Sequence, residues 1–170
     1  MGFGGILLHR YNYLGECIDH KEPELISSEY GYQKTDGTFI IFWEKESDDV
    51  DVYGFDKHNV EANGQYIEEV ELPKGTCLCR YGSVYGRMTT LQGGCYEKLG
   101  LPYKKETIEY HEYIVEADGI YVQCIVTKGK AAKMFDSPGG EIQFLHQRSI
   151  DDEIVSGRLR EMMTWLEKRK

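Results

Sequence analysis

The sequence predicts an α+β domain built on a mostly antiparallel central β-sheet with short flanking helices. Three observations lead there. Short runs of alternating polar and apolar residues recur, separated by Gly, Pro and Asp turns. The composition is that of a folded chain, 41% hydrophobic and 12% aromatic, with 13 Tyr against 6 Phe. A helical spacing of apolar residues shows only near the C-terminal end, after Ser149. At 170 residues the chain is long enough to bury a core as one domain.

Residues 1–37 are rich in Tyr and Gly and offer no clear periodicity. Thr38 to Trp43 reads as a buried strand, Glu44 to Asp51 as an acidic, solvated loop, and Asp56 to Gln65 as turns. Val70 to Leu72 leads into the turn Pro73-Lys74-Gly75, and Thr76 to Tyr81 reads as a strand. Gly82 to Gly94 holds enough glycine to read as mostly loop. Thr107 to Glu116 and Ile120 to Thr127 flank Asp118-Gly119, a hairpin signal. Gly140 to His146 supplies another strand. Ser149 is placed to cap a helix with Asp151 and Asp152 in its first turn. After Gly157, Leu159, Met162, Met163 and Leu166 resume helical spacing. The informative motifs all follow residue 50, so 51–170 is read as the domain. Residues 1–50 are either a linker or an N-terminal part of the fold.

Charge and cysteine content narrow the function classes. Twenty basic residues against 29 acidic ones give a net charge of −9, which argues against nucleic acid and membrane surfaces as partners. No apolar run approaches membrane-spanning length. Gly4 to Leu8 is too short for a secretory signal and has no basic residues before it, so no signal peptide is expected. The cysteines (Cys17, Cys77, Cys79, Cys95, Cys124) are odd in number and lack C-x-x-C spacing, which suggests reduced, structural thiols. The five histidines are scattered, and no metal site is expected.

Four stretches carry candidate chemistry. Arg80-Tyr81-Gly82, continuing to Gly86-Arg87, sets two arginines around glycines. Arginine offers phosphate a planar fork, and glycine lets backbone approach a ligand closely. In Glu109-Tyr110-His111-Glu112-Tyr113, strand alternation puts His111 on one face with Glu109, Tyr113 and Val115. Leu99-Gly100-Leu101-Pro102 is a turn. In Pro138-Gly139-Gly140-Glu141-Ile142-Gln143-Phe144, Glu141 and Gln143 share a face opposite Ile142 and Phe144. Each alone is compatible with an ordinary surface turn or strand.

Their order and spacing say more. R-[YF]-G-x-x-x-G-R, LP, YHxY, PGG-x-x-Q-[YF] and G-x-L appear here as Arg80–Arg87, Leu101-Pro102, Tyr110–Tyr113, Pro138–Phe144 and Gly157-Arg158-Leu159. This set resembles the tuberculosis necrotizing toxin (TNT) family of NAD glycohydrolases from about Gly54 to Leu159. The resemblance implies cleavage of the nicotinamide–ribose bond by Gln143, Arg80 and His111, with Arg80 on the pyrophosphate or its ribose. It also implies substrate contacts from Tyr81, Gly82, Arg87, Met88, Gly139, Gly140 and Glu141. NAD is then the substrate, with NADP open as an alternative, and neither cofactor nor metal is required. A toxin module of a bacterial effector, acting in a cytoplasm and neutralised by an immunity protein, completes what the resemblance implies. The chain departs from the family pattern at Met88 (commonly aromatic), Leu99 (commonly Arg) and Glu141 (commonly Gly). Two alternatives stay open: a non-catalytic NAD- or ADP-ribose-binding homologue, and an ADP-ribosyltransferase using Glu141 beside Gln143.

Overall fold

The computed structural model describes residues 11–18, 23–36, 38–41 and 47–162. Nine strands are found among them: β1 (Gly31–Gln33), β2 (Phe39–Ile41), β3 (Glu68–Glu71), β4 (Cys77–Tyr81), β5 (Met88–Leu91), β6 (Tyr110–Val115), β7 (Ile125–Lys130), β8 (Ile142–His146) and β9 (Leu159–Glu161). The first two form a small antiparallel ribbon. The other seven form one sheet in the order β3-β7-β8-β5-β4-β6-β9, with every pair antiparallel. Helix is scarce among the described residues. It amounts to α1 (Ile150–Val155) and single 3-10 turns at Ser28–Tyr30, Tyr96–Lys98 and Lys105–Thr107.

The main core lies on one face of the sheet. Leu78, Tyr113, Val115, Val126, Phe144, Ile150 and Leu159 bury there together. Removing this much apolar surface from water is the main force holding the strands in register. Phe144, expected on the buried side of its strand, is 4% exposed. α1 begins as its sequence dictates, for the Ser149 hydroxyl accepts the Asp152 N–H at 3.2 Å and three acids fill the first turn. It ends at Gly157, whose φ of +79° suits glycine. A second cluster, Tyr81, Tyr96, Leu99 and Ile108, packs apart from the first.

Several sequence expectations are corrected. Gly82 to Gly94 is mostly loop as expected, but it also contains β5, a central strand of the sheet that sequence reasoning missed. Its Thr89 and Thr90 are buried because each hydroxyl has a partner: Thr89 faces His146 Nε2 at 2.8 Å, and Thr90 donates to the Ile142 carbonyl at 2.6 Å. Asp118-Gly119 does not join a hairpin, because β6 pairs with β4 and β9 while β7 pairs with β3 and β8. The Asp118 carboxylate instead accepts the N–H groups of Ile120, Tyr121 and Val122, closing a local turn. Leu159 starts a strand on the β6 edge rather than a helix. Asp51, read as solvated, is buried and accepts the N–H groups of Tyr53 and Phe55. Phe42, Trp43, Met163 and Leu166 fall outside the described residues.

The described part of residues 1–50 packs onto the sheet domain. Tyr110 N–H donates to the Tyr11 carbonyl, Ile26 N–H to Pro102, and Lys104 N–H to Glu24. No disulfide joins the five cysteines, and Cys79 and Cys124 are buried.

Candidate active site

A cavity of about 560 Å³ opens beside the β4–β5 end of the sheet. Arg80, Tyr81 and Gly82 from the end of β4, Arg87 and Met88 from the start of β5, and Gln143 from β8 all line it. Leu99 and Leu101 from the turn before Pro102, and Tyr53 and Met134 from distant loops, complete much of the wall. Arg80, Met88, Leu99 and Gln143 also share a narrow adjoining recess of about 40 Å³.

Arg80 is held by backbone. Its Nε donates to the Ser83 carbonyl at 2.7 Å and its Nη1 to the Met88 carbonyl at 2.9 Å. No carboxylate among the described residues forms an ion pair with it. Burial pushes the guanidinium pKa down from its ordinary value. The glycines of this loop are explained by the same side chain. A Cβ on Gly86 would lie 1.9 Å from Arg80 Nη2, and one on Gly82 would lie 3.0 Å from it. The result is a partly buried cation pinned at the cavity wall, with no ion pair to a carboxylate among the described residues.

Arg87 is the second cation on the wall. Its Nε donates to the His146 carbonyl at 2.9 Å, and its guanidinium lies 5.8 Å from the centre of the Tyr53 ring. Gln143 is half-buried, and no hydrogen bond from the described residues reaches its carboxamide. A donor–acceptor group in that position has its bonding capacity available for a ligand.

His111 is not on the wall. Alternation along β6 turns it to the face opposite Tyr110, in register with Arg80. Its imidazole stacks on Tyr113 and lies between two carboxylates, Glu109 Oε2 at 2.7 Å from Nε2 and Glu161 Oε1 at 2.6 Å from Nδ1. Burial alone would lower its pKa, but the hydrogen bonds to Glu109 and Glu161 outweigh that and raise it to about 9. Of this group it is Glu109 that reaches the cavity. The Tyr113 hydroxyl is buried without a hydrogen-bond partner, and burial raises its pKa as well.

Gly139, Gly140 and Glu141 also lie off the wall. Gly139 has φ +71°, and a Cβ there would lie 2.6 Å from the Ala131 carbonyl oxygen; Gly140 N–H donates to that same carbonyl at 2.8 Å. The double glycine thus packs against Ala131 and Ala132, and Ala132 faces the cavity. Ser137 fastens this loop: its hydroxyl accepts from Gly100 N–H and Gly139 N–H, both at 3.1 Å, and donates to the Glu97 carbonyl at 2.7 Å. Glu141 accepts the Cys95 N–H at 2.7 Å and the Ile142 N–H at 3.1 Å. One metal-capable grouping among the described residues does form away from the cavity, namely Cys124, His146 and Glu153 with ligand atoms within 4.8 Å. All three are buried and already bonded, His146 to Thr89 and Glu153, and Glu153 to Arg148. Burial pushes the Cys124 thiol up to about 12.

Sequence reasoning passed over Tyr53, Tyr103, Glu109 and Met134 as wall residues, and also Ile18 and Pro23 from the N-terminal segment. All come from loops or strand ends, where periodicity carries no signal.

The family model for the tuberculosis necrotizing toxin matches residues 71–162, more than half of the chain. The chain belongs to the TNT family. The matched residues run from the end of β3 through β9 and include Arg80, Arg87, Met88, Glu109, His111 and Gln143. Tyr53, Ile18 and Pro23 on the cavity wall lie before the TNT match. Among solved structures, the chain is similar to one described as tuberculosis necrotizing toxin complexed with its immunity factor. The identity is 22% and the TM-score 0.43, over 65% of each chain. That coverage is just short of two thirds of the solved chain. No curated protein matches. With its family established, the chain is a toxin-type domain.

Proposed function

We propose that this TNT-family domain is an NAD glycohydrolase that releases nicotinamide and ADP-ribose. The observation that carries the reading is the shared wall of Arg80 and Gln143, a partly buried cation held by backbone carbonyls with no ion pair to a carboxylate among the described residues, and a carboxamide that no described residue hydrogen-bonds. The cavity volume falls within the roughly 300–1,000 Å³ of small-molecule sites. Two arginines on one wall suit a pyrophosphate.

The chemistry asks little proton transfer of the protein. Nicotinamide bound through its ring nitrogen is already cationic, so it leaves neutral when the C1–N bond breaks, without a general acid. What remains is to hold the ribose, exclude bulk water and stabilise an oxocarbenium-like transition state. Gln143 then holds the attacking water through its carboxamide oxygen. Among the described residues the wall bears no His or Cys and a single carboxylate, so the mechanism proceeds without a metal.

Glu141 weighs against a transferase, since both its oxygens are taken by backbone N–H groups. The substrate sets the setting, a cytoplasm. An immunity protein is proposed to silence the domain by covering this cavity.

The test is incubation with NAD in the presence of chelator, with nicotinamide and ADP-ribose followed together. Equal release of the two is expected, and Gln143→Ala should abolish it without lowering the melting temperature. Intact NAD would leave a binding homologue. Consumption tied to modified protein would indicate a transferase.

A further inference from the structure

Glu109 is the one acidic residue lining the cavity among the described residues, and its carboxylate is held by His111. Its Oε2 accepts from His111 Nε2 at 2.7 Å, and His111 Nδ1 donates onward to Glu161 Oε1 at 2.6 Å. The Glu109 and His111 side chains are each only 13% exposed. A protonated imidazole between two carboxylates fixes both ring orientation and carboxylate position. Holding three ionisable groups in line behind a cavity is more than strand pairing requires, since main-chain bonds already join β4, β6 and β9.

We propose that Glu109 is a catalytic residue whose carboxylate faces the positive charge developing at the ribose, with His111 as its positioning residue. This rests on the NAD glycohydrolase reading. When the C1–N bond breaks, its electron pair leaves with nicotinamide and the ribose carbon becomes electron-deficient. A carboxylate held in a partly dry wall stabilises that charge without having to reorganise. The water held by Gln143 adds its oxygen to C1, and Glu109 accepts the proton that water gives up and returns it to solvent. His111 acts only through Glu109. This accounts for a histidine that sits off the wall while its neighbour two residues earlier sits on it.

Glu109→Gln keeps the shape and removes the charge. It should lower kcat about 100-fold, in the range for loss of one preorganised electrostatic group, with KM within about threefold. Glu109→Asp retains a charge and should fall between the two. It serves as the active comparison if the Gln variant folds poorly, which a melting curve reveals. A second readout isolates His111. The charged and titratable groups around it are Glu109 and Tyr113 on its own strand, Arg80 on β4 and Glu161 on β9. Protonated below about pH 9, His111 donates to both carboxylates; above that it loses one donor and its hold on the two carboxylates weakens. kcat should therefore fall on an alkaline limb, and Glu161→Gln should move that limb to lower pH. An active parent whose Glu109→Gln variant keeps kcat within threefold overturns the assignment of Glu109. An alkaline limb unmoved in Glu161→Gln overturns the positioning role. A parent that leaves NAD intact overturns the hydrolase reading and this proposal together.

Discussion

Replacing Gly86 by alanine tests the site without touching a residue that contacts substrate. The φ of Gly86 lies outside the left-handed region, so an L side chain is acceptable to the backbone. The obstacle is Arg80, for the new methyl would sit 1.9 Å from Nη2 and 2.5 Å from Cζ. Ordinary contact needs about 3.5 Å, so the guanidinium must retreat by about 1.5 Å. Its bonds to Ser83 and Met88, at 2.7 and 2.9 Å, cannot survive such a shift. A hydrogen bond to a charged group contributes about 1.5–3 kcal/mol. Losing one such contact to the substrate's phosphates would lower kcat/KM by about 10- to 150-fold. Stability should fall by about 1–3 kcal/mol, which at this chain length is a drop of ~2–12 °C. Nicotinamide release measured across NAD concentrations, beside a melting curve, gives both numbers. A Gly86→Ala protein with kcat/KM within threefold of the parent would show that Arg80 is not held for the substrate.

Three other outcomes follow from the packing. Phe144→Ala should cost about 3–5 kcal/mol in denaturant unfolding, since the ring is 4% exposed in the main core. Gly139→Ala forces a left-handed φ on alanine and drives its Cβ against the Ala131 carbonyl, at about 1–3 kcal/mol for the strain alone. Because Ala132 moves with it, a raised KM should accompany the lower melting temperature. The raised pKa of His111 fixes the sign of a pH effect on stability. Its contribution is complete below about 6.5, the unfolded value, and is lost as pH rises through about 9. The melting-temperature gap between parent and His111→Gln should therefore be widest near pH 6 and narrow by pH 9.5, and a gap that widens with pH would contradict the clamp.

Local chemistry in the sequence was enough to place the elements it controls. The turn at Gly75, the strand ending in Tyr81, the cap at Ser149 and the buried face of Phe144 depend on neighbours a few residues away. β5 was hidden because Thr89 and Thr90 look solvent-facing until His146 and Ile142 are brought beside them. Asp118-Gly119 makes its expected turn, yet nothing local says that the strands on either side part to different neighbours in the sheet. Leu159 and Met162 fit a helix as well as a strand edge, and only pairing with β6 decides between them. At the cavity, motif spacing led to Arg80, Arg87, Met88 and Gln143. It did not lead to Glu109, because alternation assigns that residue to the face of His111, and Glu109 lies just before β6, where periodicity says nothing about the cavity.

The far wall of the cavity has a consequence for the order of assembly. β4, its loop and β5 form a local hairpin, so Arg80 can be locked by Ser83 and Met88 with little chain closure. Ile18 and Pro23 reach the cavity only when the early chain docks, through pairs such as Leu25 with Tyr103 and Tyr11 with Tyr110. Such long closures come late in folding. On refolding, the cation is therefore in place before the chamber around it is closed. Turnover should return in a slower phase than sheet content does.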